Sequence, residues 1–545
     1  MAEQTPMERI LAWERAYLSY PVGTRAIYLD SLRDYYNGAH LQKKSASSNR
    51  GQMMRRYPLA VNYGRQIVDK LNALIWGQFL TSPTKQIVTW EVPPVKEEWG
   101  GKTWTPRADA IKDLLNHVFF TANHGNDLLY RWSLDSGIYG TSVISPRYDI
   151  MTGEILLDII PTRNFHCIWR SDNSIVEALV SEQITRQEAK EQYGWNPSLT
   201  QTVGNILTGS EMIAVQRHTH WTPYQVSIYI ENSLIKVLPN PYSWVELDTS
   251  SPLQAGIIPF IVLPNRPVSG DFYGYSDMDS IIDIQDELNF TLAMMGDIVS
   301  ENAHPQKVLK NVRTDDDRLS DRILKIFDAG GRDAEAKLLT YEGGMSTAQQ
   351  YVDDLMQSLE DTSGVPAVAF GRYKGTQGSS LMLQVELKPA LDLAVWKRLL
   401  IGASLAKAAE MIVKIAITPI SAGVSRKING KTLTMTAADA MKHRIQPSFA
   451  AMLPKDDVAN ANKQIALLGV KLRSKKRCLE DLDEPNIEEE LKNIEADADD
   501  EMNRQQKSLQ KSTDIKMKAE QMQSGEDAVL SENQKEARGT YVGGK

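Results

Sequence analysis

The chain has 545 residues, 42% of them hydrophobic and 24% charged, a formal net charge of -8 and a pI near 5.7. This length predicts about three or four domains with room for a large core. The acidic balance excludes a protein that grips nucleic acid through a broadly basic surface, because such grip comes from neutralising phosphates with Lys and Arg.

The N-terminal MAEQTPMERILAWERAY carries acids and an amphipathic pattern where a secretory signal needs a basic start and an apolar run. Helices are predicted at WERAYLSY, TRAIYLDSLRDYYNG and PLAVNYGRQIVDKLNALIWG, each stopped by Gly or Pro, with a polar, basic loop at 42–56. Residues 104–140 read as helical, ending at GIYG. From Thr141 to about Asn265 the period becomes that of strands, as in EILLDIIPTRNFHCIWR and YQVSIYIEN, with a short helix inserted near QEAKEQYG. The fold class is therefore α+β. Cys167 and Cys478 lie too far apart in sequence to suggest a disulfide framework, so a reducing, intracellular setting is expected.

YSDMDSIIDIQDELNFTLAMMGDIVSEN (275–302) predicts one long helix with Ser276 as N-cap. Its apolar seam holds Met278, Ile281, Leu288, Leu292, Met295 and Val299, interrupted by Gln285, and its other faces carry Asp277, Asp279, Asp283, Asp286, Glu287 and Asp297. Such a helix either lies on a core or packs against copies of itself. Strand-like PQKVLKNV, DRILKIFDAG and AKLLTYEGG follow, then a helix at MSTAQQYVDDLMQSLEDTSG (345–364). SGVPAVAFGRYKGTQGSS (363–380) then interrupts the helices with four glycines, and the loop either caps two helices or has a purpose of its own. The longest helical pattern runs over 379–416, where Pro389 predicts a kink or break. Within 399–420 the charges Lys407, Glu410 and Lys414 exclude a bilayer span. Asn429-Gly430 marks a hairpin, 454–501 reads as helices around Gly469, and the polar chain beyond Asn503 is expected to be disordered or a frayed helix.

Motifs for chemistry are scarce. Gly430-Lys431-Thr432 lacks the first glycine of a phosphate loop, since Ser425 stands there. His218 and His220 share a strand face but have no Cys, Asp or Glu nearby at ligand spacing, so a structural pair is the better reading. Acid runs at 314–318, 352–355 and 497–501 leave a metal-dependent nuclease as the enzymatic rival, although they read as solvated faces. No catalytic residue, metal site or cofactor is expected.

The order of parts resembles the portal proteins of tailed bacteriophages over about residues 15–500. The similar stretches are LRDYYNGAH, VNYGRQIVDKLNALIWG, IIPTRNFHCIWRSD, FYGYSDMDSIIDIQDELNFTLAMMGDIVSENAHPQKVL and GVKLRSKKRCLEDLDEPNIEEELKNIEAD. The resemblance implies a wing over 1–274, a first stem helix at 275–302, a clip at 303–344, a second stem helix at 345–362, a tunnel loop at 363–380, a long wing helix and returning β segment at 381–451, a helical crown at 452–502 and a polar tail at 503–545. It also implies that Phe370, Gly371, Arg372, Tyr373, Lys374, Gly375, Gln377 and Gly378 face DNA. The stem seam would pack between subunits in a closed ring of about twelve, as in the family. Implied partners are double-stranded DNA, held without sequence preference, the terminase large subunit, the major capsid protein and scaffold, and tail adaptor proteins. The implied location is the capsid portal vertex of the virion, reached by assembly in the host cytoplasm. A non-portal structural or scaffold protein is the third reading.

Overall fold

Apolar side chains at helical spacing build the first elements. The computed structural model describes residues 5–17, 24–39, 61–77, 87–93, 105–195, 214–242, 256–303, 306–310, 335–339, 344–372, 380–416, 425–428, 431–434, 444–450, 452, 457–470, 472–481 and 487–539. Helix α1 (Pro6–Tyr17) is followed by α2 (Arg25–Tyr36), which buries Tyr28, Leu29, Leu32 and Tyr35 along one stripe. In α3 (Tyr63–Trp76) the Asn62 side chain accepts the Arg65 N–H at 2.9 Å, satisfying one of the free amides of the first turn. That helix serves two cores at once: Ile67, Val68 and Leu71 pack with α2, and Ile75 and Trp76 with the larger cluster. Each such side chain contributes about 1.5–3 kcal/mol on burial.

Strand β1 (Val88–Glu91) precedes α4 (Thr105–Asn116), which passes through a π-helical turn at His117–Ala122 into α5 (Gly125–Tyr139). Strands β2 (Thr141–Tyr148) and β3 (Ile155–Ile160) then pair antiparallel, Val143 opposite Ile160. Strands β4 (Phe165–Trp169) and β5 (Ile175–Thr185), helix α6 (Arg186–Tyr193), and strands β6 (Ala214–Trp221), β7 (Gln225–Ile230) and β8 (Ser233–Pro239) complete a five-stranded antiparallel sheet in the order β4-β5-β6-β7-β8. The helix predicted near QEAKEQYG is α6, started by a capping box between Thr185 and Glu188. Strand β9 (Ile261–Pro264) pairs with the other edge of β2. Helix α1 is tied to this region by Glu14, which accepts from Tyr273 Oη at 2.9 Å and lies 2.8 Å from His166 Nδ1. Burial pushes the Glu14 pKa up, but Arg25 and these hydrogen bonds outweigh it and leave it lowered.

After helix α7 (Ile282–Ala303), strands β10 (Gln306–Lys310) and β11 (Glu335–Leu339) pair antiparallel, and α8 (Gly344–Ser363) packs along α7. The middle strand expected at 321–330 lies outside the described residues. The break predicted by Pro389 is present, between α9 (Ser380–Glu386) and α10 (Lys388–Ala416), where the proline has no N–H for the carbonyl four residues back. Helix α10 is the spine of the larger core through Ile401, Leu405, Ala408 and Ile412. Strands β12 (Ser425–Ile428) and β13 (Lys431–Thr434) pair with Ile428 opposite Lys431, so Lys431 and Thr432 lie in an antiparallel strand and not at the start of a helix as a phosphate loop requires. Strand β14 (Gln446–Phe449) pairs with β1, joining segments far apart in the chain.

The chain divides into two compact units, Met1–Leu453 and Pro454–Lys545. The second contains α11 (Asp457–Gly469), α12 (Lys475–Asp481) and α13 (Ile487–Gly539). Beyond residue 503 the expectation was disorder or a frayed helix, and the described chain there continues as α13 to Gly539. The segment is rich in Lys, Glu, Gln, Ala and Met and has no proline, so its low hydrophobicity does not preclude a helix. Its side chains over 502–518 are exposed.

Candidate functional site

The candidate site comprises residues 363–372, the described part of the loop expected at 363–380, with the elements packed against them, and the start of α7. The sequence predicted a helix from Tyr275 capped by Ser276, but the helix begins at Ile282. Tertiary bonds claim the residues before it. The Ser276 hydroxyl bonds the carbonyls of Gly137 and Ile138, at 3.1 and 2.7 Å, and the Asp277 N–H donates to Gly137 at 3.0 Å. Close backbone approach makes this possible: Gly140 has φ +76°, and a Cβ there would stand 2.4 Å from the Gly274 carbonyl oxygen.

Asp277, only 1% exposed, sits between Lys397 of α10, Arg266 at 3.1 Å and the Asn265 amide at 2.9 Å. Lys397 Nζ also donates to Asn265 Oδ1 at 2.6 Å. Burial pushes the Lys397 pKa down, and the Asp277 carboxylate opposes that shift. A buried charge pair with every partner in place fixes one geometry, here between the long helix and the root of α7.

Other acids assigned to a solvated face are also engaged. Asp279 accepts from Tyr28 Oη at 2.6 Å and Asp286 from Tyr35 Oη at 2.8 Å. Burial pushes the Asp279 pKa up, while the Tyr28 hydrogen bond pulls against it. Gln285, which seemed to break the seam, accepts from the Tyr63 N–H at 3.0 Å and donates to the Val61 carbonyl at 2.6 Å. Asn289 accepts the Val61 N–H at 2.9 Å, so polar side chains of α7 bind the backbone that leads into α3.

These contacts revise the seam. Met278, Ile281 and Leu288 are 1%, 1% and 0% exposed within a single chain, so their surface is already removed from water and is not available to a neighbour. Leu292 and Met295 are half-buried and Val299 is exposed, as is Met294, leaving an apolar surface on the second half of α7.

The loop begins as ordered structure. After α8, Val365 is fully buried beside Leu359, and Ala367–Phe370 form a 3-10 turn closed by Gly371 at φ +75°. No atom would meet a Cβ at Gly371, so backbone conformation alone favours glycine there. Phe370 meets the Tyr63 ring edge-on at 6.2 Å. The Arg372 guanidinium lies 5.6 Å from the Tyr63 ring and 5.3 Å from the Phe370 ring, and donates to Glu360 of α8 at 3.0 Å. Phe370 and Arg372 were expected to face DNA; in the chain they fasten the loop's first arm to α3 and α8. Tyr373, Lys374, Gly375, Gln377 and Gly378 lie outside the described residues.

His218 is 2.7 Å from Ser181 Oγ and His220 2.9 Å from Glu177, so the histidine pair bonds within its own sheet region. Among the described residues no group of three or more His, Cys, Asp or Glu side chains is assembled to hold a metal. None of the described helices is long and apolar enough to cross a membrane.

The sequence did not reveal the Asp277–Lys397 joint, whose members are 120 positions apart. One signal was available: Lys397 stands between Ala394 and Ile401 on the apolar side of a long helix, where an ammonium needs a partner. In a comparison with protein families, residues 22–504 match the family described as phage portal protein, SPP1 Gp6-like. No curated protein matches the chain.

Proposed function

The chain belongs to the SPP1 Gp6-like phage portal protein family, and from that premise we propose that it forms a ring-shaped channel at one capsid vertex. Double-stranded DNA enters through this channel under a separate terminase motor and leaves through it at infection. The observation that carries the reading is the extent of the match, 22–504, which covers nearly all of the first unit, including the α7–α8 pair and the segment between α8 and α9, and about half of the second. The protein acts as a structural conduit, not an enzyme.

In this reading α7 and α8 are the stem, β10 and β11 belong to the clip at 303–344, α10 is the wing helix, 1–274 is the rest of the wing and 452–502 the crown. The clip meets the motor and later the tail adaptors; the wing and crown meet capsid protein and scaffold. The half-buried and exposed residues Leu292, Met295 and Val299 are the stem positions left to pack between subunits. Electrostatics support the role. DNA that slides through a channel cannot be held by many Lys-phosphate contacts at each step, and a subunit of net charge -8 offers few.

Phe370 and Arg372 are engaged with α3 and α8, which leaves Lys374 as the cation of the loop beyond them offered to DNA in this reading. Deleting residues 373–378 is expected to leave rings intact and to abolish DNA retention in a packaging assay with capsids and motor. Normally filled capsids would remove the loop from the mechanism.

A further inference from the structure

Helix α10 is built inside out over its first turns. Its buried side carries the small Ala390 and Ala394 with Lys397, whereas Val395, Trp396 and Leu399 project outward and are 47%, 55% and 62% exposed. Val385 on α9, just before the break, is likewise 63% exposed. Large side chains usually take the inner side of a helix and small or charged ones the outer. An aromatic buries roughly 150–250 Å² when covered, so this stripe leaves several hundred Å² of apolar surface in water, the size of patch that marks an interaction site.

We propose that this stripe is a contact surface for a second copy of the chain, the next subunit of the ring. The inference rests on the ring reading above and adds which face of the long helix closes it. The charges bordering the stripe are Lys388, Arg398 and Lys407 against Glu386, Asp392 and Glu410, three of each sign, and the Arg398 guanidinium is already bonded to the Ile75 and Ala450 carbonyls. Such a balanced border gives no electrostatic purchase on phosphates, which disfavours nucleic acid as the cover. An apolar centre with a mixed polar rim is the make-up of a protein–protein interface. Its several hundred Å² supplies a large part of the roughly 800 Å² that each partner contributes to a standard interface. In a ring the contact is heterologous, so the stripe meets a different surface of the neighbour and the arrangement closes by rotation.

The test is thiol protection in the full-length protein carrying Leu399→Cys. The native thiols of Cys167 and Cys478 are 0% and 6% exposed, so the introduced thiol dominates modification by a maleimide. Modification in the ring fraction is expected to be about tenfold or more slower than in the monomer fraction of the same preparation. A variant that keeps the wild-type circular dichroism spectrum and melting temperature but stays monomeric, beside wild-type rings, supports the contact equally. Equal rates in ring and monomer overturn it while leaving the ring itself standing. Wild-type protein that never forms rings overturns both. Val385→Cys is read the same way and serves if Leu399→Cys fails to fold.

Discussion

Asp135 lies on α5 one turn after Arg131, and burial pushes its pKa up to about 6, with Arg131 pulling the other way. A carboxyl raised in the folded state is tolerated there when protonated. Its contribution is fully present below its unfolded value, about pH 4, and is lost as pH rises through 6. Asp135→Asn is therefore expected to raise stability by about 1–2 kcal/mol at pH 8 and to change little at pH 4, read as melting temperatures by calorimetry. An unchanged melting temperature at pH 8 would contradict the assignment. Glu14 has the opposite sign. Its folded pKa is lowered by Arg25 and by hydrogen bonds from His166 and Tyr273 against the cost of burial, so its contribution is lost as pH falls through that lowered value. Cys167, nearby, is pushed up to about 12 by burial and stays a thiol at neutral pH.

At the scale of elements, the joint between α7 and α10 decides how the root of α7 is held against the long helix. Lys397→Met leaves Asp277 buried with only Arg266 and Asn265, and is expected to cost about 3 kcal/mol, seen as a melting temperature several degrees lower. A melting temperature equal to wild type would show that the joint adds nothing. Elements with a strong local signal were legible in the sequence: α8 falls within one residue of 345–362 at each end, Pro389 marks a real break, and Asn429-Gly430 separates β12 from β13. What the sequence misplaced depends on tertiary partners. Ser276 looked like a cap from its residue type and place before an apolar run, whereas its hydroxyl reaches the Gly137 and Ile138 carbonyls, and Gln285 looked like a flaw because the backbone at Val61 and Tyr63 lies over 220 positions away. The same holds for the loop, where glycine content announced an interruption but not that Arg372 turns back to Glu360. For α13, composition signalled the exposure of 502–518 but left disorder and a frayed helix both open, because helix propensity survives without a core and polar composition alone does not separate the two.

At the scale of the molecule, a single chain leaves several large apolar side chains exposed. Val299 at the far half of α7 and Trp396 and Leu399 on α10 remain in water, while Asp277, Asp279 and Asp286 near the start of α7 are used to hold α2 and α10. Covering such surfaces repeatedly around a closed ring accumulates about 25 cal/mol for each Å² of apolar area, which one chain alone does not gain. The most direct test of the central claim is the mass of the purified full-length protein in solution, with single-particle images of the same sample. The account predicts a closed ring of about a dozen subunits around an open channel. A compact dimer, an open filament or a chain that stays monomeric even with scaffold and capsid protein present would contradict it.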